Sequence, residues 1–163
     1  MAAVYRKLRR YCTEAADGLI LPDGRNGLTQ VGHLALTPAA LLAVETKNSG
    51  GLVLGQAGDR TWNQCIGRQR HKLQNPLRQN HGHIKAVQAL VPGVPVSGVV
   101  ALTNRGRFPT GQPVGLVVLS ELHRVVGQGV GAGVPQTYRH AWEAVVGQST
   151  TSRQTATGNL TLL

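Results

Sequence analysis

Apolar and polar positions alternate along this chain in short blocks, and the blocks predict a mixed α/β fold. Val4, Leu8 and Tyr11 stand at helical spacing with Arg6, Lys7, Arg9 and Arg10 around them, so Val4–Cys12 is predicted as an amphipathic helix with a basic wet face. Leu19-Ile20-Leu21 predicts a brief strand, stopped by the turn residues Pro22-Asp23-Gly24. Two apolar runs follow, Leu28–Leu36 and Leu41–Lys47, joined by Thr37-Pro38. Proline breaks a helix and withholds a hydrogen bond from a central strand, so this stretch predicts two strands and a turn. After Asn48-Ser49-Gly50-Gly51, Leu52–Gln56 is expected to return antiparallel, and Thr61–Ile66 with Gln69–Leu73 to form a hairpin around Gly67. Asn75-Pro76 opens a helix, because asparagine caps well and proline is tolerated in a first turn. Its apolar side carries Leu77, Ile84, Val87 and Val91, and Pro92-Gly93 ends it.

Val96–Leu102 and Val114–Leu119 are near-continuous apolar runs, as buried strands of a mixed sheet require. Glu121–Val126 predicts a short helix, Gly127–Gly133 a glycine-rich linker, and Gln136–Val146 a last amphipathic helix with Tyr138, Ala141, Trp142 and Val145 on one face. Gln148–Leu163 is polar and threonine-rich, and is expected to be mobile. The order of elements predicts an α/β fold in which helices flank a mixed sheet.

Composition sharpens this picture. Aromatic residues make up only 4% of the 163 residues, so the core has to be aliphatic, and 21 glycines supply the turns. Two cysteines, Cys12 and Cys65, make neither a disulfide framework nor a tetrahedral zinc site, so a reducing compartment is expected. Charge is lopsided, with 17 Lys and Arg against 7 Asp and Glu. From Arg60 to Ser120 there is no carboxylate, while eight cations fall in the same span. A face without compensating acids attracts polyanions, nucleic acid first. No apolar run reaches the roughly 18 residues of a membrane span, and no apolar signal-peptide core follows the basic Met1–Arg10 segment, so a cytoplasmic protein is expected.

The chemistry centres on Glu45 and Lys47. Side chains two apart on a strand share a face, so a carboxylate and an ammonium emerge together at the end of a buried strand. Such a pair can hold a metal and a scissile phosphate, or be an ordinary ion pair at a strand end. Other candidates are weaker. His81 and His83 lie two apart on the predicted helix, do not face each other, and are expected on its surface. His33 is expected in the core or on a sheet face, Trp62 and Trp142 in packing roles, and Cys65 as a small buried residue. Gly127-x-Gly129-x-x-Ala132 follows a helical stretch and lacks an acidic ribose partner, so it reads as a linker.

Four stretches together carry a family resemblance: LTQVGHLALTP (28–38), VETKNSGG (44–51), the tryptophan of DRTWNQ (59–64) and NPLRQNHGHIKAVQAL (75–90). In this order and spacing they resemble the nuclease-related domain (NERD) family, a branch of the restriction-endonuclease-like superfamily. The resemblance runs from about Gly18 to Leu122 and implies a nuclease-fold domain over residues 1–126. Residues 127–163 would then hold the linker, the last helix and the polar tail. It implies Glu45 as a metal-binding carboxylate, Lys47 as the cation beside the attacked phosphate and Gln79 as an auxiliary polar residue. The implied cofactor is Mg²⁺, which takes hard oxygen ligands, polarises the phosphoryl oxygen and activates water.

One position departs from the family pattern. An aspartate is expected before His33, but the chain reads Gln30-Val31-Gly32-His33. Gly32 ligates nothing, and Asp17 or Asp23 would have to reach in from elsewhere. Three functions are therefore in view. The first is a nucleic-acid-binding domain, DNA foremost, with an impaired magnesium site and phosphate contacts from Arg68, Arg70, Lys72, Arg78 and Lys85. The second is an active metal-dependent endonuclease with a relocated carboxylate. The third is a non-catalytic module that meets a protein partner or a second copy of itself.

Overall fold

The computed structural model describes residues 2–103, 106–127 and 131–151. Helix α1 (Ala2–Tyr11) precedes three strands, β1 (Glu14–Pro22), β2 (Leu28–Leu36) and β3 (Leu41–Lys47). Three short strands follow, β4 (Leu52–Leu54), β5 (Thr61–Ile66) and β6 (Gln69–Gln74). The long helix α2 (Pro76–Leu90) leads to β7 (Val96–Leu102), β8 (Leu116–Val118) and α3 (Leu122–Val126). The described chain closes with α4 (Gln136–Gln148) and β9 (Thr150–Thr151).

The main sheet runs β8-β7-β3-β2-β1-β9. Strands β1, β2 and β3 are antiparallel neighbours, whereas β3 pairs in parallel with β7 and β7 with β8. Alternation along β3 sorts the two faces. Leu41 and Ala43 join Leu34, Leu36, Val87 and Trp142 under α2 and α4, while Leu42 and Val44 join Val4, Leu8 and Leu122 under α1 and α3. By the same alternation Glu45 and Lys47 fall on the α2 face.

Strands β2, β3 and β7 and the opening of α2 fall where the hydrophobic pattern puts them. Three elements differ. Strand β1 is longer than Leu19–Leu21, because Asp17 interrupts the apolar run although its backbone pairs normally with His33. Strand β4 does not return along β3. The second edge of β3 is taken by β7, so β4 pairs with β5 in a separate sheet, β4-β5-β6. Gly51 makes that exit possible: it has φ +76°, and a Cβ there would stand 2.3 Å from the Cys65 carbonyl oxygen. Strand β8 is only Leu116–Val118, with Val114 fully exposed before it. Trp62 and Trp142 are packed as expected, while Cys65 is only half-buried. The expectation for the polar tail falls on residues 152–163, outside the described residues, but Thr150–Thr151 pairs with β1.

Two features shape the site. Between the Asp17–His33 and Leu19–Val31 pairs stand Gly18, at φ +62°, and Gly32. The alternation reverses there: Ala16, Leu34 and Leu36 pack under α2 on one side of the break, and Leu19, Leu21 and Val31 on the other. Pairing of β2 with β3 stops at His33–Val44, so Leu28–Gly32 continues beside β1 alone and a groove opens between it and α2. Helix α2 is fixed at both ends of its contact with the sheets. Buried Asn75 accepts from the Leu77 amide at 2.9 Å and donates to the Ala57 and Asp59 carbonyls at 2.9 and 2.7 Å. Asn80 Nδ2 donates to the Ala43 and Val99 carbonyls, each at 3.2 Å, across a glycine (Gly98) where a Cβ would meet that nitrogen at 2.6 Å.

Candidate functional site

Glu45 ends the buried part of β3, and its carboxylate lies between two nitrogens. Lys47 Nζ, on the same strand face, lies 3.4 Å from Oε1, and His83 Nδ1, from α2, lies 3.4 Å from Oε2. His83 is buried, contrary to the surface position expected of it, while His81 is exposed. Burial pushes the His83 imidazole below its ordinary pKa, Glu45 opposes that shift, and Lys47 adds to it.

A groove of about 390 Å³ opens over this group, lined by Thr29, Gln30, Gly32, Glu45, Gln79 and His83 among others. Gln79 brings its amide to this groove from the first turns of α2, and its Oε1 is a buried acceptor with no hydrogen-bond partner. A buried acceptor left unpaired is uncommon in a folded protein and marks a place where a donor or cation is favoured. Gly32 lies across the groove. A Cβ at that position would stand 3.7 Å from Glu45 Oε2 and 3.3 Å from the Val44 carbonyl oxygen.

The donors fall short of the magnesium site that the resemblance implies. Glu45 supplies one carboxylate, already beside an ammonium and an imidazole, and Gln79 supplies one neutral oxygen. Among the described residues no group of three His, Cys, Asp or Glu converges to hold a metal ion. The two alternative aspartates are engaged elsewhere. Asp17 Oδ1 lies 3.2 Å from His33 Nδ1. Asp23 Oδ1 accepts the Arg25 and Gly27 amides at 2.7 and 2.9 Å, which holds its carboxyl below the usual range. Glu14 pairs with Arg9 on the surface.

The predicted phosphate-binding residues separate into two groups. Arg78 and Lys85 line a second groove of about 420 Å³ that adjoins the first through Thr29, Gln79 and His83. Arg25, from the β1–β2 turn, lines the same groove. Arg68, Arg70 and Lys72 are exposed on the β5–β6 hairpin and line none of these grooves. None of the five pairs with a carboxylate among the described residues. Two contributors escaped the sequence reading. His83 stands four residues after Gln79, the spacing that puts both on one helix face, and that signal was available. Arg25 has no such signal, because only the tertiary fold carries its turn over α2.

A family model described as a nuclease-related domain matches residues 2–103, more than half of the chain. The chain belongs to the nuclease-related domain family. Placement in the restriction-endonuclease-like superfamily is consistent with that name and with the mixed sheet. The matched stretch runs from α1 through β7 and so contains Gly32, Glu45, Lys47, Gln79 and His83. It begins and ends earlier than the Gly18–Leu122 stretch on which the resemblance rests. An uncharacterized Bacillus anthracis protein is 38% identical over 63 residues, which are 39% of this chain and 30% of that protein. The chain therefore spans under a third of that relative's length. No solved structure matches the chain. Among the described residues no helix is long and apolar enough to cross a membrane.

Proposed function

We propose that this nuclease-related domain binds nucleic acid, DNA foremost, and that its phosphodiesterase site is impaired because it binds Mg²⁺ weakly. The observation that carries this reading is the Gly32–Glu45 relationship. Position 32 lies across the groove from the Glu45 carboxylate, and it has no side chain. A magnesium site of this kind uses one or two carboxylates and several waters. With one carboxylate, its charge already met by the Lys47 ammonium, the local charge that would attract a dication is largely spent. The groove keeps the polar scaffold of a phosphate-processing site, and Lys47 remains placed to neutralise charge on a phosphate.

Nucleic-acid binding rests on the charge distribution. The chain carries a net charge of +10, and the cations of α2 and the β5–β6 hairpin have no carboxylate partners among the described residues. Contacts of this kind fix position on a backbone without reading sequence. Titration calorimetry with Mg²⁺ and Mn²⁺ tests the metal part of the proposal. The protein is expected to give no saturable heat at low millimolar ion, and Gly32→Asp to give one site. Tight binding by the unaltered protein would refute it.

A further inference from the structure

We propose that the backbone of one strand of a DNA duplex runs along the Arg25–Arg78–Lys85 trench, over Gly82, toward Glu45. This rests on the nucleic-acid reading above and adds a path and a substrate form to it. Three grooves make the trench. One, of about 470 Å³, lies over Ala57 and Leu77 and is lined by Arg25, Arg78, Gly82 and Lys85. The next shares those four residues and continues to Thr29, Gln79 and His83. The last shares Thr29, Gln79 and His83 and ends on Gly32 and Glu45. One wall is the β1–β2 turn and the strand after it. The other is a stripe of α2, where Arg78, Gly82 and Lys85 recur at the three- and four-residue spacing of a single face.

Gly82 is the informative residue. It sits inside a fifteen-residue helix, where glycine is a poor choice, and a Cβ there would meet nothing within 4 Å. Its conformation is ordinary for a helix, so neither close packing nor a left-handed backbone requires glycine. What its missing side chain does is leave the trench open between Arg78 and Lys85. None of the residues that line the three grooves is phenylalanine, tyrosine or tryptophan, and of the two histidines His83 is buried against Glu45. Single-stranded ligands are held by aromatic platforms on which bases stack, whereas a duplex presents its phosphates to cations with the bases turned away. The chemistry of this trench is of the second kind.

The test is binding of the whole protein to a fluorescent DNA duplex of random sequence, and to a thymidine oligonucleotide of equal length, at several salt concentrations. Arg25→Ala, Arg78→Ala and Lys85→Ala are each expected to weaken duplex binding and to lower the salt slope by about 1. Gly82→Gln is expected to weaken it while leaving the melting temperature unchanged or higher, because the substitution favours the helix and only fills the trench. The hairpin variant Arg68→Ala/Arg70→Ala/Lys72→Ala serves as comparison. If that variant alone abolishes binding and Gly82→Gln binds normally, the trench is not the path, while the nucleic-acid reading stands. Tighter binding to the single strand would overturn the duplex assignment. Failure of the unaltered protein to bind any nucleic acid at low salt would overturn both.

Discussion

His83 Nδ1 lies 3.4 Å from Glu45 Oε2, and so links α2 to the end of β3 inside the candidate site. Its ring is buried, and its neighbours are the carboxylate and, beyond it, Lys47. Truncating it leaves a hole and strips Glu45 of one of its two nitrogen neighbours. His83→Ala is expected to destabilise the fold by about 1–3 kcal/mol, the usual range for losing a buried contact. Urea unfolding monitored by tryptophan fluorescence measures this, and an unchanged midpoint would mean that the apolar contacts of α2, together with Asn75 and Asn80, hold the helix without His83.

Acid is expected to destabilise the protein through His33 and His83. Burial is the main cause that puts both below their ordinary value of 6.5, with Asp17 and Glu45 respectively opposing it. Each therefore binds its proton more weakly when folded, and the unfolded chain takes up more protons as the pH falls. Stability is full above about pH 6.5 and declines from there toward the lowered folded values. Melting curves between pH 8 and pH 5 should show this decline, and His33→Gln should flatten it. His33 Nε2 also lies 3.2 Å from Thr46 Oγ1, so the glutamine variant is expected to be somewhat less stable at neutral pH.

Asn75 is expected to be the costliest polar residue to remove. It caps α2 and also holds the loop before β5 through the Ala57 and Asp59 carbonyls. Asn75→Ala loses the cap and the two hydrogen bonds to the loop carbonyls, for about 2–4 kcal/mol in total. Guanidinium unfolding gives the value. A loss under about 1 kcal/mol would mean that water replaces the amide at both carbonyls.

Gly98 is the β7 residue that faces Asn80 and Ile84 of α2. A Cβ there would stand 2.6 Å from both Asn80 Nδ2 and Ile84 Cδ1, so Gly98→Ala is expected to push the helix outward. Overpacking of this kind costs about 1–3 kcal/mol. The same comparison separates Gly98 from Gly82, where added bulk meets nothing.

Much of this architecture was legible in the sequence because local chemistry decides it. Thr37-Pro38 sets a turn between two apolar runs, and Asn75-Pro76 ahead of a run with helical apolar spacing supplies a cap and a first-turn proline. Glu45 and Lys47 were readable as one candidate site because a strand puts alternate residues on one face, within reach of the 3.4 Å approach they make. What could not be read depended on partners distant in sequence. Strand β4 leaves the main sheet because β7, more than forty residues later, occupies the edge it would have used. Asp17 hid the first half of β1 because polarity, not backbone pairing, is what a pattern shows. Arg25 enters the trench through a turn whose position only the completed sheet sets.

If the missing carboxylate at position 32 is what disables the site, restoring it should restore cleavage. Plasmid nicking in Mg²⁺ or Mn²⁺ tests it most directly, with the unaltered protein, Gly32→Asp, and Gly32→Asp/Lys47→Ala compared side by side. Cleavage is expected from Gly32→Asp alone, with the double variant silent. Metal-dependent cleavage by the unaltered protein that is lost in Glu45→Ala would contradict that expectation, and would mean that Glu45 works with another carboxylate.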